Sequence, residues 1–172
     1  VVRAMLGPMV DAYRAWIDRE RTTVLNDPDR EDVLRELLDN ATRAADRIQA
    51  GLQALDDPLV LDAFRITNQA IATALRQRFC HDREDQKPPD VKPPEWRPFQ
   101  LAFVLMNLPG VVEGTHRDRE VVDLLFFPTG GGKTEAYLGL AAFTMVLRRL
   151  RDPSIHSAGV SVIMRYTLRL LT

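Results

Sequence analysis

Three consecutive glycines, Gly130-Gly131-Gly132, sit between two stretches of opposite character, and few backbones accommodate that order. Before them, Val121-Val122-Asp123-Leu124-Leu125-Phe126-Phe127 is a run of β-branched and aromatic residues that reads as a buried strand. After them, Ala136, Tyr137, Leu140, Ala141, Phe143, Val146, Leu147 and Leu150 recur at helical spacing from Lys133 to about Arg151. That helix ends on Arg148, Arg149 and Arg151, cations at the negative end of the helix dipole. Val160-Ser161-Val162-Ile163-Met164 reads as a second strand. Strand, glycine turn, helix and strand make the βαβ unit of a parallel sheet, so the expected class over this half is α/β.

The glycine turn also has the parts of a phosphate cradle. A triphosphate needs backbone N–H groups that converge on it, a flexible cation and a hydroxyl for Mg²⁺. Gly130, Gly131 and Gly132 remove the Cβ atoms that would hold the backbone away and permit positive φ. The loop opens into a helix, whose N-terminus favours anions. Lys133 would reach the β- and γ-phosphates and the Thr134 hydroxyl would hold magnesium, with Thr129 completing the loop. The expected cofactors are therefore ATP and Mg²⁺, with Lys133 and Thr134 as catalytic residues. One departure from the general Walker A pattern stands out: the position five before Gly132 is Phe127 and not glycine. Glu135 is explained by its place in the first helical turn alone.

The first half of the chain reads as helices. Val33, Leu34, Leu37, Leu38, Ala41, Ala45, Ile48, Leu52 and Leu55 form one stripe behind a start signal at Asp27-Pro28-Asp29. A second helix starts at Asp57-Pro58, with Asp57 as N-cap, and a shorter one carries Met9, Tyr13, Trp16 and Ile17. Together these predict a helical N-terminal domain over residues 1–79. Residues 80–95 hold four prolines and almost nothing apolar, which marks a linker before a third region, 96–172. Trp96 to Leu108 is an apolar segment compatible with a helix that ends at Pro109-Gly110.

Composition narrows the setting. With 45% hydrophobic residues the chain can bury a core, and it has no run of about 18 uncharged apolar residues and no export signal. The expectation is a soluble, cytoplasmic protein without a membrane partner. Cys80 is alone, so neither an internal disulfide nor a zinc knuckle is available. Residues 96–172 carry nine Lys and Arg against six Asp and Glu, while residues 1–95 carry fourteen against eighteen. The basic bias falls on the half with the glycine loop, where phosphate ligands are expected.

Two further segments flank the loop. Trp96-Arg97-Pro98-Phe99-Gln100 lies upstream, and an amide such as Gln100 can donate and accept at once, which suits the adenine N6 and N7 edge. Downstream, Arg165 and Arg169 offer phosphate contacts and Thr167 a hydroxyl, beyond the second expected strand. Pro128-Thr129 ahead of Gly130-Gly131-Gly132-Lys133-Thr134 resembles motif I of superfamily 2 helicases, in which the first glycine is often replaced. In many of these motors a glutamine upstream of motif I, near an aromatic residue, reads adenine and motif Ia grips the sugar-phosphate backbone, the roles implied for Gln100 with Phe99 beside it and for Arg165, Thr167 and Arg169. Longer strings, Arg97 to Phe103, Asn107 to Gly110, Glu135 to Phe143 and Arg165 to Thr172, resemble the large helicase subunit of DISARM anti-phage defence systems. The resemblance implies that residues 96–172 are the first βαβ portion of a RecA-like helicase domain, that the protein engages DNA with ATP, and that a DNA-binding protein of the same defence system is its partner.

Hydrolysis also needs an acid on a later strand and an arginine finger from a second domain. Neither is located in these 172 residues; Asp123 precedes the loop, in the wrong place. The expectation is a truncated portion of a larger motor that binds nucleotide weakly and does not turn it over. Another P-loop class, such as a kinase or GTPase, is an alternative, as is a non-catalytic helical docking module with a vestigial loop.

Overall fold

Helix starts follow the chemistry of their caps. The computed structural model describes residues 2–81, 87–128 and 130–165. Its first helix, α1 (Val2–Glu20), is joined by a short turn to α2 (Pro28–Ala54). At the head of α2 the Asp27 carboxylate accepts from the N–H groups of Asp29 and Arg30, and Pro28 opens the first turn, where its missing N–H costs nothing. The same device starts α3 (Pro58–His81): Asp57 accepts from Leu59 N–H at 2.7 Å and Val60 N–H at 3.3 Å. Both starts were legible as Asp-Pro pairs. The later helices are α4 (Pro98–Val112) and α5 (Lys133–Arg151), and three short 3₁₀ turns lie at Pro88–Asp90, Arg117–Glu120 and Ile155–Ser157. None of the helices among the described residues is long and apolar enough to cross a membrane.

The five α-helices of the described residues share one core. Val10 of α1, Ile48 and Leu52 of α2, Val60, Ala63 and Phe64 of α3, Val104, Leu105 and Leu108 of α4, and Phe143 and Leu147 of α5 are buried against one another. The apolar side of α2 therefore closes over α4, and α3 over α5. A smaller cluster, Ile17, Leu38 and Ala45, seals the far end of the α1–α2 pair, with Arg14–Asp46 and Arg21–Asp39 ion pairs along its rim. Trp16, on the expected α1 stripe, instead lies 41% exposed and stacked on Tyr13.

Helix α4 runs past Pro109-Gly110, where the sequence suggested its end. Pro109 cannot donate to the carbonyl of Leu105, four residues back, which leaves that oxygen without its helical partner. It faces Gly51 of α2, where a Cβ would collide with the Leu105 carbonyl. The glycine thus lets two helices meet where a proline has opened one of them.

The expected α/β fold with a parallel sheet, RecA-like or otherwise, is not what forms. Helix makes up 72% of the described chain and strand none of it. Residues 121–127 and 160–164 carry no regular secondary structure. A strand is defined by ladder pairing with a neighbour, and each of these segments meets a helix side chain in place of a second strand. Arg47 of α2 takes Asp123, while Arg148 of α5 donates to the carbonyls of Ala158, Gly159 and Val160 and to Ser161 Oγ. Val122, Leu124 and Phe126, at 93%, 87% and 92% exposure, point to solvent and are not packed inside a sheet.

Candidate phosphate-binding loop

The glycine loop is built by one turn of α4. Arg97 precedes Pro98, and Gln100, three residues on, accepts from Arg97 N–H through Oε1 at 2.8 Å. Gln100 Nε2 then donates to the carbonyl of Gly132 at 2.7 Å, and an Arg97 N–H donates to the carbonyl of Gly131 at 2.8 Å. Phe99 stacks on Phe127 with ring centroids 4.0 Å apart. Three side chains within four residues therefore grip three places on the loop.

Two of the glycines are dictated by backbone conformation. Gly130 has φ +77° and Gly132 φ +91°, the left-handed region that side chains rarely enter. A Cβ on Gly132 would also lie 2.6 Å from Gln100 Nε2. At Gly131 the obstacle is steric, since a Cβ there would run into the Phe127 ring. Phe127, which breaks the general pattern, supplies the aromatic wall that Phe99 and Gly131 pack against.

Gly132 is the residue before α5, so the loop delivers the chain directly into a 19-residue helix. The leading N–H groups of such a helix have no partner within it and carry its partial positive charge. Lys133 Nζ folds back over the loop and donates to the carbonyls of Phe127 at 2.5 Å and Pro128 at 3.0 Å. Gly131 N–H closes the turn onto the Pro128 carbonyl at 3.1 Å. Thr134 is exposed, and it borders with Lys133, Tyr137, Val162, Ile163 and Arg165 a cavity of 490 Å³. A second cavity, of 420 Å³, lies where Ile71 and Leu75 of α3 meet Trp96, Gln100, Gly130 and Glu135; there Glu135 Oε2 is buried with no partner.

The loop thus unites Gly130, Gly131, Gly132, Lys133 and Gln100 and places Thr134 next in line. Arg165 lines the same first cavity as Lys133. Thr129, Thr167 and Arg169 lie outside the described residues. The residues fit a magnesium-bound triphosphate: a cradle that Cβ atoms would fill, an ammonium resting on carbonyls it can leave, and an exposed hydroxyl. Gln100 has one amide N–H and one carbonyl lone pair beyond the bonds it makes here.

Several contributors escaped sequence reading. Arg97 was passed over, although its place three residues before Gln100 is a cap-and-N3 spacing. Trp96 donates its indole N–H to Asn68 of α3 at 2.6 Å and lies against Gly139, where a Cβ would come 2.8 Å from the ring. Arg148, Arg149 and Arg151, read as dipole cations, are staples: Arg149 holds the carbonyls of Pro153 and Ser154, and Arg151 that of Val112 at the end of α4.

No family model matches the chain. Among curated proteins it is similar to the DISARM protein DrmA of Bacillus paralicheniformis, at 39% identity over 180 residues. The two are homologous. The match takes in 97% of this chain but 16% of DrmA, so the chain spans about one sixth of the relative's length. The aligned region therefore includes α1 to α3 as well as the loop.

Proposed function

We propose that this chain is the nucleotide-binding portion of an anti-phage defence protein of the DISARM type, and that Gly130 to Thr134 hold the phosphates of ATP. The observation that carries the reading is the loop itself: two left-handed glycines opening onto a helix N-terminus, with Lys133 folded over it. The homology to DrmA supplies the defence setting. In this reading the N–H groups at the start of α5 and the Lys133 ammonium bind phosphate oxygens, and Lys133 exchanges two carbonyl acceptors for charged ones. Thr134 holds Mg²⁺, which screens phosphate charge when bound. Gln100, through its remaining N–H and lone pair, reads the adenine edge.

In the whole protein the nucleotide drives a superfamily 2 helicase or translocase acting on DNA, an ATP hydrolase working in the cytoplasm. Arg165 supplies one phosphate contact to DNA, Thr167 and Arg169 two more, and a DNA-binding protein of the same defence system is the partner. The test begins with the nucleotide. Titration of the chain with Mg-ATP is expected to show binding that Lys133→Ala weakens about tenfold or more, the worth of a charge-assisted hydrogen bond. Equal affinity in the two proteins would sink the assignment.

A further inference from the structure

The approach to the loop is held from an unexpected quarter. Between Val121 and Phe127 the side chains of Val122, Leu124 and Phe126 face solvent, so most of this segment makes no apolar anchor. Its far end is held by the Phe127 ring on Phe99 and by Lys133 on the Phe127 carbonyl; its middle is tied to α2 through Asp123, bound by both terminal nitrogens of Arg47 at 2.5 and 2.8 Å. The Arg47 Nε donates in addition to Asp118, in the 3₁₀ turn just before the segment, at 2.8 Å. The side chains are 14%, 9% and 16% exposed for Arg47, Asp118 and Asp123. His116 Nδ1 accepts from Asp118 N–H, which fixes the turn that carries this carboxylate. Arg47 stands one helical turn before Gly51, where α2 touches the Leu105 carbonyl of α4. Helix α4 in turn carries the Phe99 and Gln100, and follows directly on the Arg97, that grip the loop.

We propose that Arg47 is a positioning residue for the phosphate loop: its guanidinium fork fixes Asp118 and Asp123, and so sets where Phe127 and the glycines meet α4. The inference rests on the nucleotide reading above. It makes the loop's geometry depend on α2, a helix 76 residues away in sequence from Asp123. A planar fork that satisfies two carboxylates has no equivalent in lysine, a single point donor.

The experiment compares the wild-type chain with Arg47→Lys. Three quantities are read: Mg-ATP affinity, the unfolding midpoint, and amide hydrogen exchange. Arg47→Lys is expected to weaken Mg-ATP binding about tenfold, as small misplacements at a site do, and to speed exchange over residues 124–132. Amides of α3 and of the middle of α5 keep their protection. Arg47→Ala would strand two buried carboxylates, so the second variant is Arg47→Met with Asp118→Asn and Asp123→Asn, which leaves no buried charge alone. It should fold and show the same weakened binding. A lower unfolding midpoint with unchanged affinity and unchanged exchange at 124–132 overturns the proposal. Absence of Mg-ATP binding in the wild type overturns the nucleotide reading and with it a positioning role at that site; faster exchange at 124–132 in Arg47→Lys tells that failure from failure of the clasp.

Discussion

At Gly51 the absence of a side chain decides how closely α2 approaches α4, because the atom a Cβ would strike is the backbone oxygen of Leu105. A flexible side chain could move aside; a helix carbonyl cannot without shifting its helix. Gly51→Ala is therefore expected to destabilise the chain by about 1–3 kcal/mol despite alanine's better helix propensity, as overpacked cores do. Chemical denaturation checks it, and an unchanged midpoint would mean that the helices separate freely. Gly132 poses a different problem, a left-handed backbone beside Gln100. Gly132→Ala is expected to cost about 1–3 kcal/mol in loop strain, read as lost Mg-ATP affinity together with lost stability. Gly51 carried no signal in the sequence, and the loop glycines were legible as a motif but not as causes. The glycine run announced a cradle, yet that Gly131 is required by the Phe127 ring, and Gly132 by Gln100, depends on contacts 4 and 32 residues apart in sequence.

Helices announced themselves and the strands did not materialise, for a reason that lies in the difference between local and non-local bonding. Asp27-Pro28 and Asp57-Pro58 carry their own caps, so the starts of α2 and α3 could be read directly. Val121 to Phe127 and Val160 to Met164 have the composition of strands, but a ladder requires a partner at the right place, and local composition does not encode one. In this chain the backbone carbonyls of 158–160 go to Arg148. Arg148→Ala should release them: faster amide exchange over residues 158–163 is expected, with a loss of about 1 kcal/mol or less in global stability, since the bonds are exposed. A collapse of the whole fold in that variant would show that the staple does more than hold its own loop.

On the scale of the whole molecule, the continuous core from Val10 to Leu147 joins the N-terminal helices to the loop-bearing ones. The sequence showed two apolar-periodic regions separated by a proline-rich stretch; the faces by which α2 meets α4 and α3 meets α5 were not visible, since a stripe does not say what it packs against, and Val33 and Leu37 of the α2 stripe are exposed. One cooperative thermal transition is expected, seen alike by far-ultraviolet circular dichroism and by Trp96 and Trp16 fluorescence. Two separated transitions would contradict a shared core. The homology to DrmA runs through α1 to α3 as well as the loop, in keeping with a helical cap that is part of the site's scaffold. The most direct trial of the account is amide hydrogen exchange of the chain with and without Mg-ATP. Slower exchange confined to Gly130 through Thr134, abolished by Lys133→Ala, is the expected result, and exchange at those amides that nucleotide leaves untouched would contradict it.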